Sequence, residues 1–197
     1  MIASRENKQR LILASSSPRR QALLAQIGIT PDQIIPADID ETPQRLEPPR
    51  KLSARLAMAK AVVIQADQQD CFILGADTVV ALGKRILGKP DNPDDARRYL
   101  NQLSGRRHKV YSAIALITPC GRKISRVAVT TVAFKRLSQG DVDDYLAHDE
   151  WQGKAGAYAI QGRAARFVKS INGSYSTVVG LPLFETSMML QGNGYVF

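Results

Sequence analysis

Cysteine, histidine and tryptophan are scarce in this 197-residue chain: two, two and one. Cys71 and Cys120 lie in or beside apolar stretches without CxxC or metal-ligand spacing. That excludes a disulfide scaffold or a zinc module and leaves reduced, inert core or near-surface thiols. His108 and His148 are isolated, which argues against a histidine-based triad or zinc site. Aromatics make up only 6% and offer no stacking platform for single-stranded nucleic acid. No run approaches the ~20 apolar residues of a membrane span. The N-terminus opens polar, and its short apolar run Leu11–Ala14 meets Arg19 and Arg20 too soon for a secretory signal. A cytoplasmic protein with no membrane partner is expected. In that setting Asn172-Gly173-Ser174 is a turn rather than a glycosylation acceptor.

What is present suits a folded domain. Hydrophobic residues make up 44% and charged residues 23%, and a chain of this size can bury about two-thirds of its unfolded surface. The net charge is +9, a balance that suits polyanionic ligands. Lys and Arg outnumber Asp and Glu by 10 to 6 in residues 1–60, 8 to 6 in 61–110 and 9 to 6 in 111–197. The excess is therefore spread, as on a solvated surface that hides a polyphosphate pocket. A basic nucleic-acid-binding module is the rival reading, and only the total charge supports it.

Short apolar strands alternate with amphipathic helices, which predicts an α/β or α+β fold. Leu11–Ala14 reads as a buried strand. Ser17 then caps a helix that Pro18 opens and Gly28 ends. A short strand is expected at 33–37, followed by an acidic, proline-rich loop at 38–50. Leu52, Leu56, Ala59 and Val63 predict a helix face. Residues 72–76 predict a central strand ending at Asp77, with a hairpin beyond it around Gly83. Asn92-Pro93 starts a helix to about Leu103. Strands are expected at 109–118 and 123–134, and Ser138 with Asp141 forms a capping box. A strand at 167–171 and a helix from Pro182 to Leu190 complete the pattern, with no repeat or linker.

Four constellations could carry chemistry. Ser15-Ser16-Ser17-Pro18-Arg19-Arg20 places hydroxyls and guanidiniums at a helix N-terminus, where anions settle. A capped turn with solvated arginines fits the same residues, and no P-loop pattern is present. Asp77 in Gly75-Ala76-Asp77-Thr78-Val79 can hold a hard cation or act as a general base, or simply end its strand. Lys60 and Lys89 are phosphate ligands or solvated lysines, and Asp40-Glu41 is a second carboxylate source or loop surface. In Gly153–Gly162 the small residues allow close backbone approach. Gln161 can read both donor and acceptor edges of a base.

In order, the chain carries Leu11-x-Leu-Ala-Ser-x-Ser-Pro-Arg-Arg20, Gly75-Ala-Asp-Thr-Val-Val80, Gly88-Lys-Pro90, Lys154-Ala-Gly-Ala-Tyr-x-Ile-Gln-Gly162 and Asn172-Gly-Ser-Tyr-x-x-Val-Val-Gly-Leu-Pro-Leu183. This series resembles the Maf family of nucleoside triphosphate pyrophosphatases, over residues 11 to about 190. The resemblance implies a bent mixed sheet with helices around a central cleft, similar to the inosine triphosphate pyrophosphatases. It implies a two-lobed domain at 11–197 behind an N-terminal extension at 1–10. The implied reaction is hydrolysis of a nucleoside triphosphate to monophosphate and diphosphate, with a divalent cation (Mg²⁺ or Mn²⁺).

Asp77 would be the catalytic acid/base. Ser15, Ser17, Arg20, Lys60 and Lys89 would line the phosphate site, and Arg19, Thr78 and Gln161 would choose the base. Asp77 and Glu41 would hold the metal. Gly88 stands before Lys89 where some relatives carry an acid. The intact segment 154–162 looks like the branch acting on dTTP and UTP, the alternative being a branch acting on 7-methyl-GTP or other modified purine triphosphates. A homodimer and no stable nucleic-acid partner are also implied.

Overall fold

The structure, a computed structural model, describes residues 9–196. The expected extension at 1–10 therefore lies mostly outside the described residues. Arg10 already joins the fold, because its carbonyl accepts the Phe72 N–H at 2.8 Å.

The architecture is mixed α/β. Among the described residues one seven-stranded sheet runs in the order β2 (Gln33–Ile34), β1 (Leu11–Ala14), β3 (Phe72–Leu82), β5 (Arg107–Ile117), β6 (Lys123–Phe134), β7 (Val168–Asn172). The short β4 (Arg85–Leu87) pairs with the far half of β3. The helices are α1 (Pro18–Gln26), α2 (Pro49–Gln65), α3 (Pro93–Leu103), α4 (Gln139–Leu146), α5 (Tyr175–Val179) and α6 (Leu183–Gln191).

The expected strand end at Asp77 is not there. β3 continues for 11 residues, with Asp77 opposite Ala113 of β5. β5 supplies hydrogen-bond partners along almost all of β3, so a run that looked interrupted by Asp77 and Thr78 stays extended. On its other edge β3 changes neighbour. Parallel β1 stops at the Ala14–Gly75 pair, and antiparallel β4 begins at the Val80–Leu87 pair. Residues 76–79 are left without a strand on that side, and this notch positions the site.

The α2 face also differs from the expected one. Its buried positions are Leu52, Leu56, Ala57, Lys60, Ala61 and Ile64, whereas Val63 is exposed. A lysine sits inside the buried stripe, so apolar spacing alone shifted the face by one residue. Helix α2 lies very close to the sheet at Gly75. A Cβ there would come within 2.3 Å of the Ala57 carbonyl oxygen and 3.0 Å of the Ala61 nitrogen. Gly75, Asp77 and Val79 share one strand face, so this close approach brings Lys60 beside Asp77.

Local signals held at two helix starts. Asn92 accepts the Asp95 N–H at 2.8 Å, and Ser138 with Asp141 closes a capping box. Ser17 occupies the N-cap of α1, but its side chain makes no capping bond. Strand β2 is shorter than expected, and the short α5 lies between the expected strand and the last helix. The core falls on both sheet faces. One cluster packs α1 and α6 on β1 and β3 through Leu24, Phe72 and Leu190. Another surrounds Tyr145, Phe167 and Leu100 under α3 and α4. Truncating a fully buried side chain such as Leu100 to Ala costs about 2–5 kcal/mol.

Candidate active site

The chain leaves β1 at Ala14, turns through Ser15–Ser17 and enters α1 beside the notch in β3. Ligands of open α/β sheets gather at such carboxyl ends of strands. A cavity of about 400 Å³ opens there, and every residue singled out from the sequence lines it: Ser15, Ser17, Arg19, Arg20, Glu41, Lys60, Asp77, Thr78, Lys89 and Gln161. They come from six separate parts of the chain. The notch explains their meeting, because Asp77 and Thr78 point to opposite sheet faces and still border one space.

On the α2 side runs a chain of charges. Lys60 Nζ lies 2.7 Å from Asp77 Oδ1 and 2.6 Å from Glu41 Oε1, and Glu41 Oε2 lies 2.7 Å from Lys89 Nζ. Lys60 and Asp77 are only 7% and 6% exposed, so neither charge could be held there without the other. Burial of Glu41 opposes its charged form. Hydrogen bonds from Lys60 and Lys89, and their charges, outweigh it and hold the carboxyl at about 2. Of the acidic pair Asp40-Glu41, the loop brings Glu41 into the cleft.

On the other side the contacts are neutral. Arg20 donates from Nη1 to Ser15 Oγ at 2.8 Å and from Nε to the Gly180 carbonyl at 3.0 Å. Burial lowers the Arg20 pKa, partly offset by the charge of Asp77. Thr78 Oγ1 shares a 2.9 Å hydrogen bond with buried Ser112 and donates to the Gly180 carbonyl at 3.4 Å. Gly180 adopts φ +129°, a backbone shape that side chains disfavour. Its carbonyl thus orients both Arg20 and Thr78. Ser112 carried no signal as a site residue and Gly180 stood only within the 172–183 motif, because strand pairing and the α5 turn are what bring them in.

The segment 153–161 forms a further wall. The N–H of Gly156 donates to the Gly88 carbonyl at 3.0 Å, tying this wall to the loop that presents Lys89. Behind it the Ala159 N–H donates to Tyr145 Oη at 3.1 Å, and Tyr158 Oη meets His108 Nε2 at 2.8 Å. His108 is therefore a core group, and burial lowers its pKa to about 4. Much of the scattered surface charge is paired, as in Arg97 with Asp143, Arg166 with Asp144 and Lys135 with Asp141. Such pairs are worth ~0–1 kcal/mol each and form no continuous basic face.

Asp77 and Glu41 approach Lys60 Nζ from two sides, at 2.7 and 2.6 Å, so their remaining carboxylate oxygens border the same part of the cleft, beside the ammonium. Among the described residues no group of three His, Cys, Asp or Glu could hold a metal. Two carboxylates completed by substrate oxygens and water are nevertheless the usual Mg²⁺ environment. The residues fit such an ion.

A mixed sheet with a cation-rich cleft at its notched edge makes this an α/β protein whose cleft suits an anionic ligand. Its fold is shared with a solved HAM1 protein from Coxiella burnetii, at TM-score 0.50 and 16% identity, covering 93% of this chain and 99% of that one. The Maf-like protein family matches residues 10–193, and the chain belongs to that family. It is 57% identical over 185 residues to a Rhodospirillum rubrum protein named dTTP/UTP pyrophosphatase, covering 94% of this chain and 88% of the relative. It is 54% identical to a protein of the same name from Caulobacter vibrioides, covering 94% and 96%.

Proposed function

We propose that the protein hydrolyses dTTP and UTP to the monophosphate and diphosphate. The observation that carries this reading is Asp77, 2.7 Å from Lys60 Nζ inside a cavity bordered by five cationic side chains. The names of its relatives support the choice of substrate.

Asp77 orients a water for attack at the α-phosphorus and takes its proton, and Lys60, 2.7 Å away, holds the carboxylate in place. Arg20, Lys60, Lys89 and the Ser15–Ser17 turn hold the phosphate oxygens and stabilise the charge that builds on departing diphosphate. Asp77 and Glu41 would hold a divalent cation together with phosphate oxygens. When bound, it neutralises phosphate charge and makes water more acidic.

Thr78 and Gln161 face the base. Uracil and thymine share a carbonyl–imino–carbonyl edge that an amide and backbone groups can match. Cytosine leaves groups unpaired, at ~1–3 kcal/mol each. The homodimer and the cytoplasmic location belong to the same proposal. Phe184 and Met188, exposed one turn apart on α6, support the first, and light scattering tests it. No helix of the described residues is long and apolar enough to cross a membrane.

The test is diphosphate release from UTP, dTTP, CTP, ATP, GTP and 7-methyl-GTP with Mg²⁺, Mn²⁺ or Co²⁺. UTP and dTTP should lead by roughly one to two orders of magnitude. If 7-methyl-GTP led, the base preference would be wrong. No diphosphate from any triphosphate would overturn the reaction itself.

A further inference from the structure

The cations of the cleft are not equivalent. Lys60 and Lys89 face Asp77 and Glu41, so that chain carries no net charge. Five cations against two carboxylates leave the cavity at +3, and the excess resides on Arg19, Arg20 and Lys154. Arg20 is held by Ser15 and Gly180. Arg19 has no hydrogen-bond or ion-pair partner among the described residues, although it is partly buried. Lys154 donates only to the Gln152 carbonyl, at 3.0 Å, which leaves two of its N–H donors free. The nearby carboxylate, Glu150, is engaged by the backbone N–H and side chain of Arg163.

Two partly buried cations that lack carboxylates are costly unless an anion arrives. Arg19 and Lys154 are close enough to feel each other. Burial and then the charge of Arg19 lower the Lys154 pKa, with the charge of Glu150 opposing them, and burial lowers that of Arg19.

Resting on the pyrophosphatase reading, we propose that Arg19 and Lys154 form a second anion subsite that grips the terminal phosphoryl oxygens of the triphosphate. A neutral pyrimidine offers carbonyl acceptors but no charge to two cations, whereas the diphosphate end carries most of the negative charge and gains more as it leaves. This moves Arg19 from the base, where the family resemblance puts it, to the phosphate tail. It adds Lys154 as a binding residue, and 153–161 becomes a wall that reads Gln161's base and clamps the tail together.

The test uses inorganic tripolyphosphate, which has no base, with titration calorimetry in a chelating buffer. Lys154→Met should weaken tripolyphosphate binding about ten- to a hundred-fold, the worth of one charge-assisted hydrogen bond. Lys154→Arg should keep most of the affinity, which separates lost charge from misfolding. UMP binding should stay unchanged in both. The Arg19→Met, Lys154→Met double variant should lose less than the sum of the single losses, because both grip one group. Unchanged tripolyphosphate affinity in Lys154→Met would overturn the subsite, as would a shift in the UTP-to-CTP preference with tail affinity intact. Wild-type diphosphate release from UTP, measured alongside, tests the underlying reaction separately.

Discussion

Two regions of this molecule take ionisable groups out of water and treat them oppositely. At the cleft, Asp77, Lys60 and Glu41 keep their charges and share them at 2.6–2.7 Å. Behind the 153–161 wall, His108, Tyr158 and Tyr145 stay neutral among Phe134 and Phe167, in edge-to-face ring contacts. Burial lowers the His108 pKa to about 4 and raises both tyrosines, Tyr145 to about 12. Opposite charges meet at the cleft, where the proposed chemistry lies. The neutral block is scaffold, and through Tyr145 and Tyr158 it sets where the wall stands.

The sharpest break of this contrast is Asp77→Asn, which keeps the shape and removes the charge. Turnover of UTP should fall by ~10²–10⁴-fold, the range for a lost acid/base. Nucleotide binding, followed by calorimetry, should largely persist. Near-wild-type turnover would remove Asp77 from the chemistry.

The neutral region is tested by pH. The folded pKa of His108 lies below its ordinary 6.5, so the unfolded chain takes up the proton first. Stability present above about pH 6.5 should therefore be lost as pH falls towards 4, by about 3 kcal/mol. Urea midpoints across that window measure it. His108→Phe should flatten the slope, whatever its stability at neutral pH. An equal slope in both proteins would mean that His108 is not held neutral.

The geometry joining the charged region to the sheet can be broken without touching a charge. Gly75→Ala should push α2 off β3 and part Lys60 from Asp77. Misplacement by about 1 Å can cost roughly a hundred-fold in rate. Circular dichroism should still report a folded protein while turnover falls.

The smallest effect belongs to Glu41, whose side chain is 39% exposed. Its carboxyl is held at about 2 against an ordinary 4.5, so its contribution is present above pH 4.5 and lost as pH falls towards 2. Glu41→Gln should remove a modest part of the wild-type acid destabilisation in that window. The same substitution should raise the divalent-cation concentration needed for half-maximal turnover, and an unchanged requirement would take Glu41 out of the metal site.

Much of the molecule was legible as local chemistry. Asn92-Pro93 and Ser138–Asp141 mark helix starts because their side chains bond within three residues. The site residues were legible as motifs, and all of them border one cavity. Two kinds of feature stayed hidden. The strand through Asp77 looked terminated, because a buried carboxylate inside a strand makes sense only with Lys60 opposite it. The face of α2 was misread for the same reason, since Lys60 occupies a buried position that an apolar pattern skips.

The sequence alone determined two of the helix caps, the alternation of strands and helices and the set of polar residues that borders the cleft. All of these depend on neighbours a few positions apart. Tertiary structure alone decided which cation meets which carboxylate. Glu41, Lys60, Asp77 and Lys89 span 48 residues and belong to a loop, a helix, a strand and a second loop. Their pairing follows from the exchange of β1 for β4 along β3 and from the close seat of α2 on Gly75. It also left Arg19 and Lys154 without carboxylate partners. An ion pair forms over less than 4 Å, and only a folded sheet brings such distant residues within that reach.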